Sequence, residues 1–261
     1  MKKVLAFVLV VFMLAAISPF AFAASATVNV SVSVDGKLLV AAQPVSVTDL
    51  TVNGVLKAAH KAYYSGGESG YVADIDPTWN MFLITKCWGV SATPYVIING
   101  YPLGSPELPD TADKAAVKAG DNIIVSTSSD PTVPAQAIAL TATVADGTAT
   151  VKATSWVLDF TTFTYKSSPL AGAKIVDPVT GTALGTTDAN GSITVTVPES
   201  GIVAVDGLAA INLAGGAGNA QPLPQTGGFS SSAIVGIAGL VLLAAGATTF
   251  IVGKKRAGRS A

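Results

Sequence analysis

The stretch Thr27-Val28-Asn29-Val30-Ser31-Val32-Ser33-Val34 decides how the chain is read. Valine recurs at every second position, with Asn and Ser between, so successive side chains point to opposite sides of a strand and one side is apolar. This predicts a β-strand with one buried face. Asp35-Gly36 follows directly, a pair that tolerates the left-handed backbone of a two-residue hairpin turn.

Outward from this strand the pattern changes period. Val47, Val52, Val55, Leu56 and Ala59 predict a short helix ending near Ala62, capped by Asn53 or Asp49, with Gly66-Gly67 as the breaker. Phe82 to Ile84, Tyr95 to Ile98 and Asn122 to Val125 predict further short strands, with turns at Asn99-Gly100 and Ala119-Gly120-Asp121. The polar stretch Ser128 to Pro134, with two prolines, marks a boundary. Beyond it, Ile138 to Val144, Thr148 to Val151, Trp156 to Tyr165, Ala173 to Val176 and Ser192 to Val197 predict strands, with turns at Asp146-Gly147, Thr180-Gly181 and Asn190-Gly191. The expected fold is a small α+β domain over 24–130 followed by an all-β sandwich domain over 131–206. The uncharged Gly/Ala stretch 207–222 reads as a spacer.

The first domain resembles the transcobalamin C-terminal-like family. The resemblance covers Thr27 to Ser128. It rests on the helix from Val52, on Gly70-Tyr71-Val72 before an acidic turn, on Trp88 ahead of Tyr95-Val96-Ile97-Ile98-Asn99-Gly100, and on Gly120-Asp121 opening the last strand. It implies a mixed α/β module which, in vitamin-B12 carriers, closes one side of a cobalamin site; Trp88, Tyr95 and Asn99 are the candidate ligand-binding residues. In the second domain, Pro169-Leu170-Ala171-Gly172-Ala173, Thr187-Asp188-Ala189-Asn190-Gly191 and Pro198-Glu199-Ser200-Gly201 resemble the prealbumin-like or Ig-like modules of bacterial adhesins. Some such modules carry a Lys–Asn or Lys–Asp isopeptide bond, for which Lys152, Lys166 and Lys174 are the available lysines; three solvated lysines are the plainer reading.

Charge is segregated along the chain. Nine lysines and all 16 acidic residues lie between Asp35 and Asp206, a balance of −7. Lys2 and Lys3 stand at one end; Lys254, Lys255, Arg256 and Arg259 stand at the other. Each basic end borders an apolar run. Lys2-Lys3, the apolar stretch Val4 to Ile17, Pro19 and the small-x-small site Ala21-Phe22-Ala23 before Ala24 read as a signal peptide, residues 1–23.

At the other end, Leu223-Pro224-Gln225-Thr226-Gly227 precedes a polar step, the apolar run 233–252 and the basic tail. At about 1.5 Å per residue, a helix over that run spans roughly 30 Å, the hydrocarbon thickness of a bilayer. A basic tail stays on the cytoplasmic side. The whole of 223–261 resembles the LPxTG cell-wall sorting signal of Gram-positive surface proteins. That resemblance implies that sortase cuts between Thr226 and Gly227 and joins the Thr226 carboxyl to peptidoglycan. The protein would then be secreted and held in the cell wall, with its precursor transiently in the membrane; a plain single-pass anchor is the alternative.

These readings make a non-enzymatic surface protein that displays small binding or adhesion domains to a protein or glycan ligand. Surface capture of a corrinoid-like small molecule is the second reading. An acidic body without arginine is a poor match for nucleic acid. No cofactor and no metal site is expected: Asp74-Ile75-Asp76 lacks the full calcium-loop pattern, and His60 and Cys87 are the only His and Cys. A dyad of these two would be the one route to a nucleophile.

Overall fold

The computed structural model describes residues 25–130, 135–159, 161, 162 and 164–214, all within one compact unit. The described chain is mostly β, arranged in several sheets. The signal peptide 1–23 with Ala21, Ala23 and Ala24, and the sorting signal 223–261, lie outside the described residues.

Strand β1 (Ala26–Val34) sits inside the main sheet. It pairs antiparallel with β2 (Lys37–Val47) through the Asp35-Gly36 turn, both of whose residues have positive φ. On its other side it runs parallel to β7 (Asn122–Thr127). Beyond β7 lie β5 (Tyr95–Ile98) and the short β6 (Tyr101–Pro102), giving the order β2-β1-β7-β5-β6. Val28, Val30 and Val32 face helix α1 (Val52–Tyr63), which buries Val52, Val55, Leu56, Ala59 and His60, one helical stripe. The helix cap is Thr51, whose hydroxyl accepts from Gly54 N at 3.1 Å, in place of the expected Asp49 or Asn53. Asp49 instead accepts from the Thr51 hydroxyl, and the Asn53 side chain accepts from the Tyr71 hydroxyl. Gly54 is required there, because a Cβ would come within 2.3 Å of the Asp49 carbonyl oxygen.

A separate two-stranded sheet, β3 (Val72–Asp76) with β4 (Met81–Lys86), packs Ala73, Phe82 and Ile84 against the same core. The acidic turn expected at Asp74 to Asp76 is therefore part of a strand. The turn comes just after it, where the Asp76 carboxylate accepts from the backbone N–H of Thr78 and Trp79.

The second half forms two sheets. In one, β9 (Thr148–Asp159) pairs with β8 (Ala137–Ala145) along one edge. Its other edge is shared between β13 (Ser192–Thr196) and β10 (Thr164–Pro169). The other sheet has the order β12-β11-β14-β15, from Ala183–Thr186, Lys174–Val176, Ile202–Val205 and Ala209–Asn212. Leu140, Val151, Ala153 and Val195 of the first sheet share a core with Ile175, Val203, Val205 and Ile211 of the second.

The two halves also share apolar packing. Ile97 and Ile124, on the side of the main sheet away from α1, belong to that second core. Ala41 and Ala42 of β2 pack with Ile202, Ala204 and Ala210 on the opposite side of β14 and β15. The polar side of β1, expected to stay open, is thus covered: Asn29, Ser31 and Ser33 are each 1% exposed. Burial of such groups is tolerable when they are hydrogen-bonded.

Ser31 stands opposite a bulge formed by Ala41 and Ala42, where the register jumps from Gln43 to Val40. Its hydroxyl accepts from Ala42 N at 2.8 Å and donates to the Ala210 carbonyl at 2.7 Å. The Asn122 side chain likewise pairs with the Asn212 backbone, accepting from its N–H at 2.9 Å and donating to its carbonyl at 3.3 Å. Asn29 Nδ2 and Thr127 Oγ1 are buried with no hydrogen-bond partner among the described residues. Strand β15 is a correction to the sequence reading. Its residues fall in the Gly/Ala stretch expected to be spacer, yet Ala209 to Ile211 are at most 3% exposed.

Candidate functional site

Among the described residues, chemistry-bearing or binding-competent side chains gather in at least two places. The first lies under α1. His60 is fully buried, and its Nδ1 is 2.6 Å from the Leu56 carbonyl one helical turn back. Nε2 is 2.8 Å from the backbone N–H of Trp88. A backbone N–H is only a donor, so Nε2 is the acceptor, the proton sits on Nδ1, and the ring is neutral. Burial holds its pKa below the ordinary 6.5, the bond to Leu56 opposing the shift.

Cys87 lies with its sulfur 3.9 Å from the same Nε2, whose lone pair is already taken by Trp88 N–H. Burial pushes the Cys87 thiol up to about 12, with the Trp88 backbone bond pulling the other way. A thiol of that kind is a poor nucleophile.

Cys87 and Val90 exchange both backbone hydrogen bonds around Trp88 and Gly89, which have φ of 52° and 80°. This is a type I′ two-residue turn, with a tryptophan in the left-handed region where side chains are rarely found. Trp88 is held there by the bond to His60 and by ring contacts of 4.5 Å to His60 and 5.7 Å to Tyr64. Tyr71 closes the cluster at 5.1 Å from the His60 ring. Together the rings and the thiol make a packed, internally satisfied core.

The second place is a cleft of about 180 Å³. Four consecutive residues of β4, Met81 to Ile84, form one wall. Leu103-Gly104, just past β6, and the loop at Asp110 to Ala112 form the other. Tyr165 reaches in from β10. Its arm is tied to the first half by Trp156, whose indole N–H donates to the Gly100 carbonyl at 3.1 Å and whose ring lies 6.4 Å from both Tyr101 and Tyr165. Apart from Tyr165, Asp110 is the one ionisable group lining the cleft among the described residues.

His60, Cys87 and Trp88 meet under α1, but the candidate ligand-binding residues Trp88, Tyr95 and Asn99 do not come together. Trp88 is buried under α1, and Tyr95 packs on the opposite side of the main sheet, with the second core. Asn99 is exposed in a left-handed turn, where its side chain donates to Asp121 and accepts from Asn122 N. Of the aromatic residues, Trp79 is 71% and Tyr101 45% exposed. Lys166 and Lys174 form exposed ion pairs with Asp159 and Asp206, at 2.8 and 2.9 Å, and Lys152 is exposed. Among the described residues no group of three His, Cys, Asp or Glu could hold a metal ion, and no helix is long and apolar enough to cross a membrane. Leu223, Pro224, Gln225, Thr226, Gly227 and the basic Lys254, Lys255, Arg256 and Arg259 lie outside the described residues. Sequence reasoning missed the cleft, whose walls come from segments up to 84 residues apart; only the apolar run Met81-Phe82-Leu83-Ile84 hinted at it.

Comparison with known protein families, curated proteins and solved structures finds no match to this chain.

Proposed function

We propose that this chain is a non-enzymatic surface protein of a Gram-positive cell wall, exported through its signal peptide and joined by sortase to peptidoglycan through Thr226. The observation that carries the reading is the order LPQTG, apolar run 233–252, basic tail, with nothing charged between Gly207 and Val252. The described fold is compatible with both cuts. Strand β1 begins at Ala26, two residues past Ala24, and β15 ends at Asn212, ahead of Leu223. Eight residues separate Ala214 from Leu223. Counted to Thr226, the point of attachment, that is twelve steps of roughly 3.5 Å, at most about 42 Å, so the body would be displayed close to its anchor.

The buried, satisfied state of His60 and Cys87 supports display and binding over catalysis. The first half is taken as the transcobalamin C-terminal-like module and the second as the adhesin-type module that their motifs resemble, and the partner as protein or glycan.

Expression of the full precursor in a sortase-bearing Gram-positive host, followed by wall fractionation, tests the reading. Muramidase should release the wild-type chain, and Thr226→Ala should move it to the detergent-soluble membrane fraction. Release of the wild-type chain by detergent alone would overturn it.

A further inference from the structure

Among the described residues the β3–β4 sheet has two strands, and neither outer edge is paired. Met81 to Lys86 pair with β3 and with no other strand among the described residues. The cleft lies along the outer edge of β4. Four consecutive residues line it, rather than alternate ones, as expected where a cleft runs along a strand's edge and meets its main chain as well as its side chains. Across the gap, Leu103-Gly104 follows β6, the last strand of the main sheet. An unpaired run of backbone donors and acceptors beside an apolar slot is the arrangement that receives an added strand.

The hairpin is also more apolar than solvent exposure favours. Ile75 and Phe82 share a side with Ala73 and Ile84, by their register. Ala73 and Ile84 reach the core, but Ile75 is left 57% exposed, and Val72, Met81 and Trp79 are exposed around it. Size narrows the occupant. Pockets for drug-sized ligands run to about 300–1,000 Å³, whereas an apolar cavity of about 150 Å³ takes a benzene-sized group. A cleft of about 180 Å³ fits a single large side chain.

Charge narrows it further. Asp110 lines the cleft, Asp74 and Asp76 stand opposite Leu83 and Met81 on β3, and among the described residues no Lys or Arg lines it. With a body charge of −7, a second copy of the chain is repelled and a cationic partner attracted.

We propose that the outer edge of β4 takes an extended cationic peptide segment, which adds as a strand with an apolar side chain in the cleft and its Lys or Arg side chains at the acidic rim. This deepens the reading of the body as a displayed binding surface but does not use the anchor. Wall release and peptide binding can therefore fail separately.

The test uses the chain Ala24–Thr226 and three capped seven-residue probes: alternating lysine and valine, alternating glutamate and valine, and the lysine peptide N-methylated at alternate residues. Binding is followed by calorimetry, and by hydrogen exchange at the amides of Met81 to Lys86. The lysine peptide should bind saturably and slow exchange along β4. The glutamate and N-methylated peptides should each bind at least ten-fold more weakly, and Asp110→Asn should weaken the lysine peptide. No saturable binding, equal binding of all three probes, protection only outside β4, or protection of β4 that rises with protein concentration in the absence of peptide would each overturn the proposal.

Discussion

Removing the Ser31 hydroxyl should cost far more than an ordinary surface substitution on the same sheet. In Ser31→Ala two buried backbone groups lose their partner at once: the N–H of Ala42 in the β2 bulge and the carbonyl of Ala210 in β15. Both residues are at most 1% exposed, so bulk water does not replace the hydroxyl. Each stranded buried group costs about 1–3 kcal/mol; taking the lower half of that range for both gives a loss of about 3 kcal/mol. With a urea m-value of about 2 kcal/mol per molar, the midpoint should fall by about 1.5 M. The assay is urea unfolding of Ala24–Thr226 followed by tryptophan fluorescence and circular dichroism. Ser46→Ala, on the exposed side of β2, is the control and should change stability by less than about 0.5 kcal/mol. A Ser31→Ala midpoint within error of that control would refute the argument that this hydroxyl joins β15 to the main sheet.

Two further predictions concern the cluster under α1. His60 is neutral in the fold with its pKa lowered by burial, so below the ordinary 6.5 the unfolded chain takes a proton that the folded chain refuses. Its contribution should be complete above that pH and decline as the pH falls toward the folded value, measured as urea midpoints between pH 7 and 4.5 in the wild type against His60→Phe. Cys87 has the opposite sense. Its contribution is whole below the unfolded value of 9.0 and is lost as the pH rises from there toward about 12. At pH 8 a thiol reagent should leave the native chain unlabelled and react only after urea unfolds it; rapid native labelling would sink the reading of Cys87 as a core residue.

Local pattern carried the first strand, the helix stripe and the Asp35-Gly36, Asn99-Gly100 and Asp146-Gly147 turns, because each rests on side chains a few positions apart. It failed where the cause is remote. The alternation in Thr27 to Val34 looks the same whether the Asn and Ser side meets water or β15, and only a strand about 180 residues on decides. Strand β2 was hidden because Ala41-Ala42 form a bulge that breaks the alternation and Pro44 argues against a strand. Strand β15 was hidden by composition, since Ala-Ala-Ile-Asn inside a Gly/Ala run looks like linker until small side chains are needed between two sheets. Thr154-Ser155 split β9 into two expected strands, although one continuous strand serves β13 with its first half and β10 with its second. The candidate binding residues Trp88, Tyr95 and Asn99 came from the family resemblance, and local sequence does not distinguish Trp88 in the core from Trp79 in solvent.

The parallel pairing of β1 with β7 has a consequence for the order of assembly. A chain is made from its N-terminus, so β1 and β2 exist as a bare hairpin while the 74 residues between Val47 and Asn122 are added before β7 can arrive on the other side. The polar side of that hairpin waits longer still, until Ala210 appears, 179 positions after Ser31. Closure of so distant a contact is slow and leaves the early strands uncovered. The body therefore cannot lock into its final form until nearly its whole length has been delivered, and the last piece to fall into place is the one next to Leu223.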